Sequence, residues 1–568
     1  VLKGAALGAL ASSLRVFSAE AATAPATNGI FGYGIASGDP TADAVIIWTR
    51  ATPPPTGGQT ASPGSGLGNP LCVHWEVARD QGFRHTVKRG TVHTNASTDH
   101  TVKVDVTGLK PYTRYFYRFH AEGETSTAGR TQTAPDDGHR LHALRFGVVS
   151  CSNYTDGYFS AYRALGKRDD LDFVLHLGDY IYEGGNQPAP AGARDHIPPT
   201  EILSLTDYRL RHAQHKADPD LALAHRQHPW ITIFDDHEVA DNTWNTGAGN
   251  HTEGAEGTFT ARRQSAYQAY LEWMPFRLPE QHVPHQGTRF FRRFTFGPLG
   301  DLSVLETRQN RSAQVNLPPF ATRGGGLIPI GLDPATDAEL ASPKRHLLEP
   351  EQLTWLKNTT AGTDKPWHLI GNQVVLSPIR FPGGAVGAPP ELTMINSDQW
   401  DGYQADQSAL LDHLANQPPH AGDAVVLTGD IHSTWAIDLP ASAGVEFVTP
   451  SVTSNGFYEI VRGQLPPGTP PEAVVATTRG LVTALTTTNP GIKYLDGIAH
   501  GYTLIDVTPD RVQADFHHTP IPTSATPNPR AIASTTTSYV TSWQTQAGSR
   551  KLTPATGPVG PRTDNPTA

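Results

Sequence analysis

An α/β domain preceded by an all-β domain is the fold class that the sequence predicts, on three observations. From Gly29 to Pro135, short runs rich in Val, Thr, Tyr and Trp are separated by turn residues at the spacing of a β-sandwich. After a linker, APDDGHRLH at 134–142, buried strand-like runs alternate with helix-like segments. The chain of 568 residues also exceeds what one hydrophobic core usually supports, so two or more domains are expected.

In chain order, residues 1–28 read as the end of an export signal. A lysine precedes a small-residue apolar stretch, and Ala19-Glu20-Ala21 resembles a cleavage site. The stretch is too short and too weakly apolar for a membrane span. VLKG resembles the end of a twin-arginine signal, whose paired arginines would lie upstream; a folded, periplasmic or secreted protein is therefore expected.

Residues 29–135 predict a fibronectin- or immunoglobulin-like module, with strands at DAVIIWTRA, LCVHWEVARD, HTVKRGTVHT, HTVKVDVTGL, TRYFYRFHAE and TSTAGRTQT. GLKPYTRYFYRF reads as a tyrosine corner, in which Tyr112 or Tyr115 bonds backbone upstream. Cys72, beside Trp75, is expected to be a small buried hydrophobe. With Cys151 as the only other cysteine, no disulfide framework is expected.

Residues 143–520 form the second domain. Its strands are expected at LRFGVVSCS, DFVLHLGDYIY, WITIFDDHE, LSVLETRQ, WHLIGNQVVL, AVVLTGDIHS and HGYTLIDVTPDRVQADFHH. Helical spacing appears in GYFSAYRALGKRDDL, FTARRQSAYQAYLEWM, EPEQLTWLKNTT and DQSALLDHLANQ. Segments 185–230 and 312–345 read as Pro/Gly-rich loops at a pocket mouth. Residues 521–568 read as a strand at TSYVTSWQT and a flexible tail.

Composition narrows the function. Lys+Arg 44 against Asp+Glu 54 gives a net charge of −10, which argues against a partner held by bulk positive charge, nucleic acid above all. An anionic substrate would need local cations. A monomer is expected.

The strand ends carry the chemistry. Successive apolar runs close on Cys151, on Asp179 and Tyr182, on Asp235-Asp236-His237, on Asn372, and on Asp430 and His432. In open α/β sheets the carboxyl ends of strands face the ligand, so these side chains share one rim. Each motif alone is an ordinary turn; their joint order points to a metal site.

That order, SCS, GDYIYE, DDHEVADN, TRQ, GNQ, WDGY and TGDIHS over about residues 29–520, resembles the PhoD-like alkaline phosphatase/phosphodiesterase family, which also includes a calcium-dependent phospholipase D. The resemblance implies a metallophosphoesterase β-sandwich flanked by helices, and a Fe³⁺ ion with one or two Ca²⁺ ions beside it. It implies Cys151, Tyr182 and His432 on iron, Asp179 bridging, and Asp236 and Asp430 on calcium. Phenolate and carboxylate suit a hard trivalent ion, and aspartate where zinc sites carry histidine suits calcium. Asn242 is expected to complete the calcium shell, and Asn372 stands where related enzymes place a ligand. Arg308 and Arg311 are expected to clamp phosphate, because a guanidinium fork matches its oxygens. The family usually has aspartate and tyrosine where this chain has Glu306 and Asn310, a departure beside Arg311. Asp398, Trp400 and Asp401 are expected to line the mouth or to bind a further cation. The expected reaction is hydrolysis of a small phosphate ester by metal-activated water, with His237 protonating the leaving group. The alternative substrate is a phospholipid or another diester.

Overall fold

The computed structural model describes residues 24–566 except 26, 187–192, 279–288, 319, 321–325, 363, 419–420 and 563. Most of the predicted export signal lies outside the described residues. No helix among them is long and apolar enough to cross a membrane.

Two sheets pack face to face. The ten-stranded sheet runs in the order 552–554, 538–546, 511–518, 501–507, 144–149, 173–176, 229–232, 35–38, 44–50, 101–107. The seven-stranded sheet runs 292–296, 300–304, 367–372, 423–428, 445–448, 434–438, 492–496. One buried cluster joins them, with Val148, Leu175 and Ile231 on one side and Leu302, Val425 and Phe447 on the other. Strands buried on both faces explain the continuous apolar runs in the sequence.

The first sheet contains the parallel series 144–149, 173–176, 229–232, and the second the parallel series 300–304, 367–372, 423–428, 445–448. Parallel neighbours end on the same edge. Seven carboxyl ends therefore converge at one rim of the sandwich.

The N-terminal region is all β, with its strands shared between two sheets. Strands 71–78, 86–94 and 114–121 do form a separate antiparallel sheet. However, Ile35–Gly38 pairs in parallel with Pro229–Thr232, and 44–50 and 101–107 extend the ten-stranded sheet beyond it. Tyr115 is the corner tyrosine: its hydroxyl accepts the Lys110 N–H at 2.9 Å. Cys72 is exposed, because its side chain falls on the outer face of an alternating strand.

The other corrections concern segments read as loop or tail. Residues 185–230 contain two helices, Leu205–Lys216 and Pro219–Gln227. The segment 312–345 contains the strand Leu327–Ile330 and the helix Pro334–Leu340. The C-terminal segment is docked, not free. Arg562 is buried and bonds Asp172, the Tyr112 hydroxyl and the Ala143 carbonyl at 2.5, 2.8 and 2.7 Å.

Candidate metal centre

At the rim each strand stops in a turn that aims one polar side chain inward. Cys151, Asp179, Asn242, Asp430 and His432 all have left-handed backbone, with φ of 60°, 58°, 51°, 63° and 52°. Such positions cost on the order of 1–3 kcal/mol each for non-glycine residues and persist only where surrounding contacts enforce them. Gly178 permits the closest approach: a Cβ there would lie 2.4 Å from the Cβ of Asp235. Glu238 locks the two turns together. Its buried carboxylate accepts the N–H groups of Asp179, Tyr180 and Asp235 at 3.1, 2.6 and 2.8 Å.

The first donor group joins three distant segments. Ligand atoms of Cys151, Asp179 and His432 lie within 4.8 Å of one another. The Tyr182 hydroxyl sits among them, 2.8 Å from Asp179 Oδ2 and 3.2 Å from His432 Nε2, and accepts from Ser454 Oγ at 2.7 Å. His432 Nδ1 donates to the Asn455 carbonyl at 2.7 Å, which leaves the Nε2 lone pair facing the group. This is the arrangement of a metal-binding imidazole. Burial lowers the His432 pKa to about 4, so the ring stays neutral.

The second group contains only oxygen donors: Asp235, Asp236 and Asp430. Arg308 lies against it. Its guanidinium grips Asp235 in a two-point pair and reaches Asp398 at 2.9 Å and Asp430 at 2.7 Å. Gln399 donates to the other oxygen of Asp430 at 2.6 Å. Asp236 Oδ1 is buried and has no hydrogen-bond partner, with Arg308 at 3.8 Å. An unpaired buried carboxylate oxygen is costly, and a cation held there would offset that cost.

The electrostatics agree. Burial, with Asp236 adding to it, pushes the Asp179 carboxyl well above the carboxylate range. Burial and then Asp179 push up both the Cys151 thiol and the Tyr182 phenol. Burial also raises Asp235 and Asp430, with Arg308 offsetting only part of it. The protein alone thus supplies too little positive charge for these groups to ionise together; bound cations would reverse that.

His237 stands at the edge of the centre, stacked on Tyr182 with ring centroids 4.1 Å apart. Its Nδ1 meets the buried carboxylate of Glu183 at 2.6 Å, and its ring lines the cavity. Burial opposes its charge, but Glu183, Asp236 and Asp179 outweigh burial and hold it protonated. Glu183 also accepts the Asp241 N–H and the Asn250 amide, which fixes its orientation.

Four expectations change. Arg308 and Arg311 are fully buried and neither lines the cavity, so neither is placed to clamp phosphate. Arg311 bonds the Thr243 carbonyl at 2.8 Å and the Asp398 carboxylate at 2.7 Å. Asn372 is no ligand: its amide serves the Val374 carbonyl and Thr428, and its oxygen accepts Trp400 Nε1 at 3.3 Å. Trp400 is buried rather than at the mouth, although Asp398 and Asp401 do line the cavity. Asn242 donates its backbone N–H to Asp236 Oδ2 at 2.6 Å and lines the cavity. Sequence reasoning missed Glu183, Glu238, Gln399 and Ser454 as supports. Glu183 and Glu238 lay inside the quoted motifs GDYIYE and DDHEVADN, where each glutamate follows the metal-facing carboxylates, and that was the available signal.

A cavity of about 470 Å³ opens over both groups. Residues 146–516 match the model of the PhoD-like phosphatase family, and residues 17–135 that of the PhoD-like phosphatase N-terminal domain. The chain is 35% identical over 540 residues to alkaline phosphatase D of Bacillus subtilis (strain 168), covering 93% of this chain and 83% of that protein. Among solved structures, that of PhoD superposes with a TM-score of 0.77 at 31% identity, over 94% of each chain. With the matched domains, the shared fold and a metal-competent rim in agreement, the chain belongs to the PhoD-like phosphatase family and is a phosphoric ester hydrolase.

Proposed function

We propose that the protein is an exported hydrolase of the alkaline phosphatase D type, with Fe³⁺ held by Cys151, Tyr182, Asp179 and His432. Ca²⁺ would be held beside it by Asp236, Asp430 and Asn242, with Asp179 available to both ions. The convergence of thiol, carboxylate and imidazole donors within 4.8 Å, next to an oxygen-only group, carries this reading. Phenolate and carboxylate suit a trivalent iron, and an all-oxygen group suits calcium.

Such a metal pair supplies an acidified water and neutralises charge on the phosphoryl oxygens. The chain's own residues do the rest. The Asn455 carbonyl holds the His432 tautomer, and Ser454 orients the Tyr182 hydroxyl. Glu183 keeps His237 charged and directs Nε2 toward the cavity, where it donates a proton to the leaving alkoxide. Exclusion of water from the buried carboxylates strengthens each of these contacts.

One observation favours the diester reading. Among the described residues no lysine or arginine lines the cavity. A diester carries a single negative charge and needs fewer cations than the dianion of a monoester.

Elemental analysis of protein purified without added metal, run beside assays on a chromogenic monoester, its bis-ester and phosphatidylcholine, tests both levels. We expect about one iron per chain, a visible tyrosinate band that Tyr182→Phe abolishes, and faster cleavage of the bis-ester. An active protein without iron, or a band that survives Tyr182→Phe, would end the ligand assignment. Preference for the monoester would end the diester reading.

A further inference from the structure

Residues 453–455 touch three of the four donors of the first group. The N–H groups of Thr453 and Ser454 both donate to the Cys151 carbonyl at 3.3 Å, and Ser454 Oγ lies 2.9 Å from the same oxygen. That hydroxyl is also 2.7 Å from the Tyr182 hydroxyl, and the Asn455 carbonyl accepts from His432 Nδ1 at 2.7 Å. Yet these three residues belong to no helix or strand, so no regular hydrogen-bond ladder fixes their backbone. Something else must hold the loop.

Two buried routes do so. Arg530 stands on the short helical turn Pro529–Ala531 of the C-terminal segment and is 5% exposed. One terminal nitrogen of its guanidinium donates to the Thr453 carbonyl and the other to the Asn455 side-chain oxygen. A planar guanidinium fixes two acceptors relative to each other, which an ammonium cannot do. The fork therefore clamps the loop on both sides of Ser454. Glu459, 3.3 Å away, supplies the counter-charge. On the second route His500 lies 3.4 Å from Glu459 and 2.9 Å from Ser451 Oγ, which donates to the Ser454 carbonyl at 2.7 Å. The Arg530 backbone is seated in turn: its carbonyl accepts the Tyr158 N–H at 2.8 Å. A Cβ at Gly157 would lie 2.8 Å from that carbonyl oxygen, so only glycine admits the approach. Neither Arg530, Glu459, His500 nor Ser451 lines the cavity over the metal centre. They can reach the chemistry only through the loop.

We propose that Arg530 is a positioning residue for the metal centre: its fork on Thr453 and Asn455 sets where the 453–455 loop presents Cys151, Tyr182 and His432. The C-terminal segment is then part of the site and not only a strap around the sandwich. This rests on the ligand reading above and adds to it a residue from outside the strand-end motifs.

The test compares full-length, metal-loaded Arg530→Met and Arg530→Lys with Arg562→Met, which loosens the same segment at its contacts with Asp172 and Ala143. In Arg530→Met the loss of hydrogen bonds from a charged donor should speed amide exchange at Thr453 and Ser454 about tenfold. Amides of the strand Trp367–Asn372 should exchange as in the parent. On the chromogenic bis-ester kcat should fall about tenfold with KM within about twofold, and the visible tyrosinate band should weaken or shift. Arg530→Lys keeps the charge without the fork and should recover only part of each change. Arg562→Met should lower the unfolding free energy while loop exchange, band and kcat stay those of the parent. Asn455→Ala removes one arm of the fork from the loop side and should reproduce the faster exchange even where Arg530→Met does not fold. Parent-like exchange at Thr453 and Ser454 in these variants, an Arg530→Lys protein that matches the parent, or equal effects from Arg562→Met overturns the inference. Absence of iron from the parent instead overturns the ligand assignment, and the exchange comparison still decides the role of Arg530 on metal-free protein.

Discussion

The two donor groups at the rim solve the same problem in different ways. Around Cys151, Asp179, Tyr182 and His432 the buried donors face one another with no lysine or arginine among them, and the supports stand behind: Ser454, the Asn455 carbonyl and Glu238. Around Asp235, Asp236 and Asp430 the protein inserts its own cation, Arg308. The first group has no guanidinium against it, whereas the second is already partly neutralised by one. The difference teaches that an arginine at a phosphatase rim need not bind phosphate. Here it offsets part of the negative charge of the second group, and leaves Asp236 Oδ1 buried without a hydrogen-bond partner.

The sharpest way to break this comparison is Arg308→Met. Removing a fully buried guanidinium strands Asp235, Asp398 and Asp430 without their shared partner, and breaking one side of a buried pair costs about 3–5 kcal/mol. Urea unfolding of the metal-free protein should show a loss of that order. A phosphate clamp would behave otherwise, giving unchanged stability and a fall only in kcat/KM.

A second test reaches the first group from behind. Glu459 accepts the Gly456 N–H and pairs with Arg530, which in turn bonds the Asn455 side chain and the Thr453 carbonyl. Burial opposes ionisation of Glu459, but Arg530 and His500 outweigh it and lower its pKa from 4.5 to about 2. Because the folded value lies below the unfolded one, the stabilisation is fully present above pH 4.5 and vanishes as pH falls through about 2. A shift of this size corresponds to about 3 kcal/mol. Glu459→Gln should therefore be less stable than the parent at pH 6, with the gap in unfolding free energy closing between pH 4.5 and 2. A gap independent of pH would mean that Glu459 contributes packing and hydrogen bonds but no charge.

What was legible in the sequence was punctuation: a buried parallel strand leaves a continuous apolar run, and the turn after it leaves Gly-Asp, Asp-Asp-His or Gly-Asp-Ile-His. That pattern located Cys151, Asp179, Asp236 and His432 before any coordinates. Partnership was not legible. Arg308 and Asp430 are 122 residues apart, and nothing local distinguishes a guanidinium that meets phosphate from one that meets three aspartates. Likewise Ile35–Gly38 lies outside every predicted strand, and its pairing with Pro229–Thr232 leaves no trace in either segment. The helix Leu205–Lys216 is hard to see in the sequence because its buried residues include Arg211, His212 and His215, so no apolar stripe betrays it. Its capping box, Ser204 with Asp207, was the one available signal.

The finest distinction between the two groups lies in His237, whose ring nitrogen lies within 4.8 Å of carboxylate oxygens of both Asp179 and Asp236. If it delivers the proton to the leaving group, Glu183 is its positioning residue: the 2.6 Å contact fixes the ring and holds its charge. Glu183→Gln keeps the shape and the hydrogen bond to Nδ1 while removing the counter-charge. Loss of acid catalysis should slow cleavage of an alkyl ester about a hundredfold, equivalent to about 2.7 kcal/mol. A 4-nitrophenyl ester should scarcely be affected, because its leaving group departs without a proton. If His237 instead only helps to hold the phosphoryl oxygens, both esters slow equally and the dependence on leaving group stays that of the parent. The ratio of the two rates therefore separates proton delivery from charge stabilisation, which a fall in activity alone cannot do.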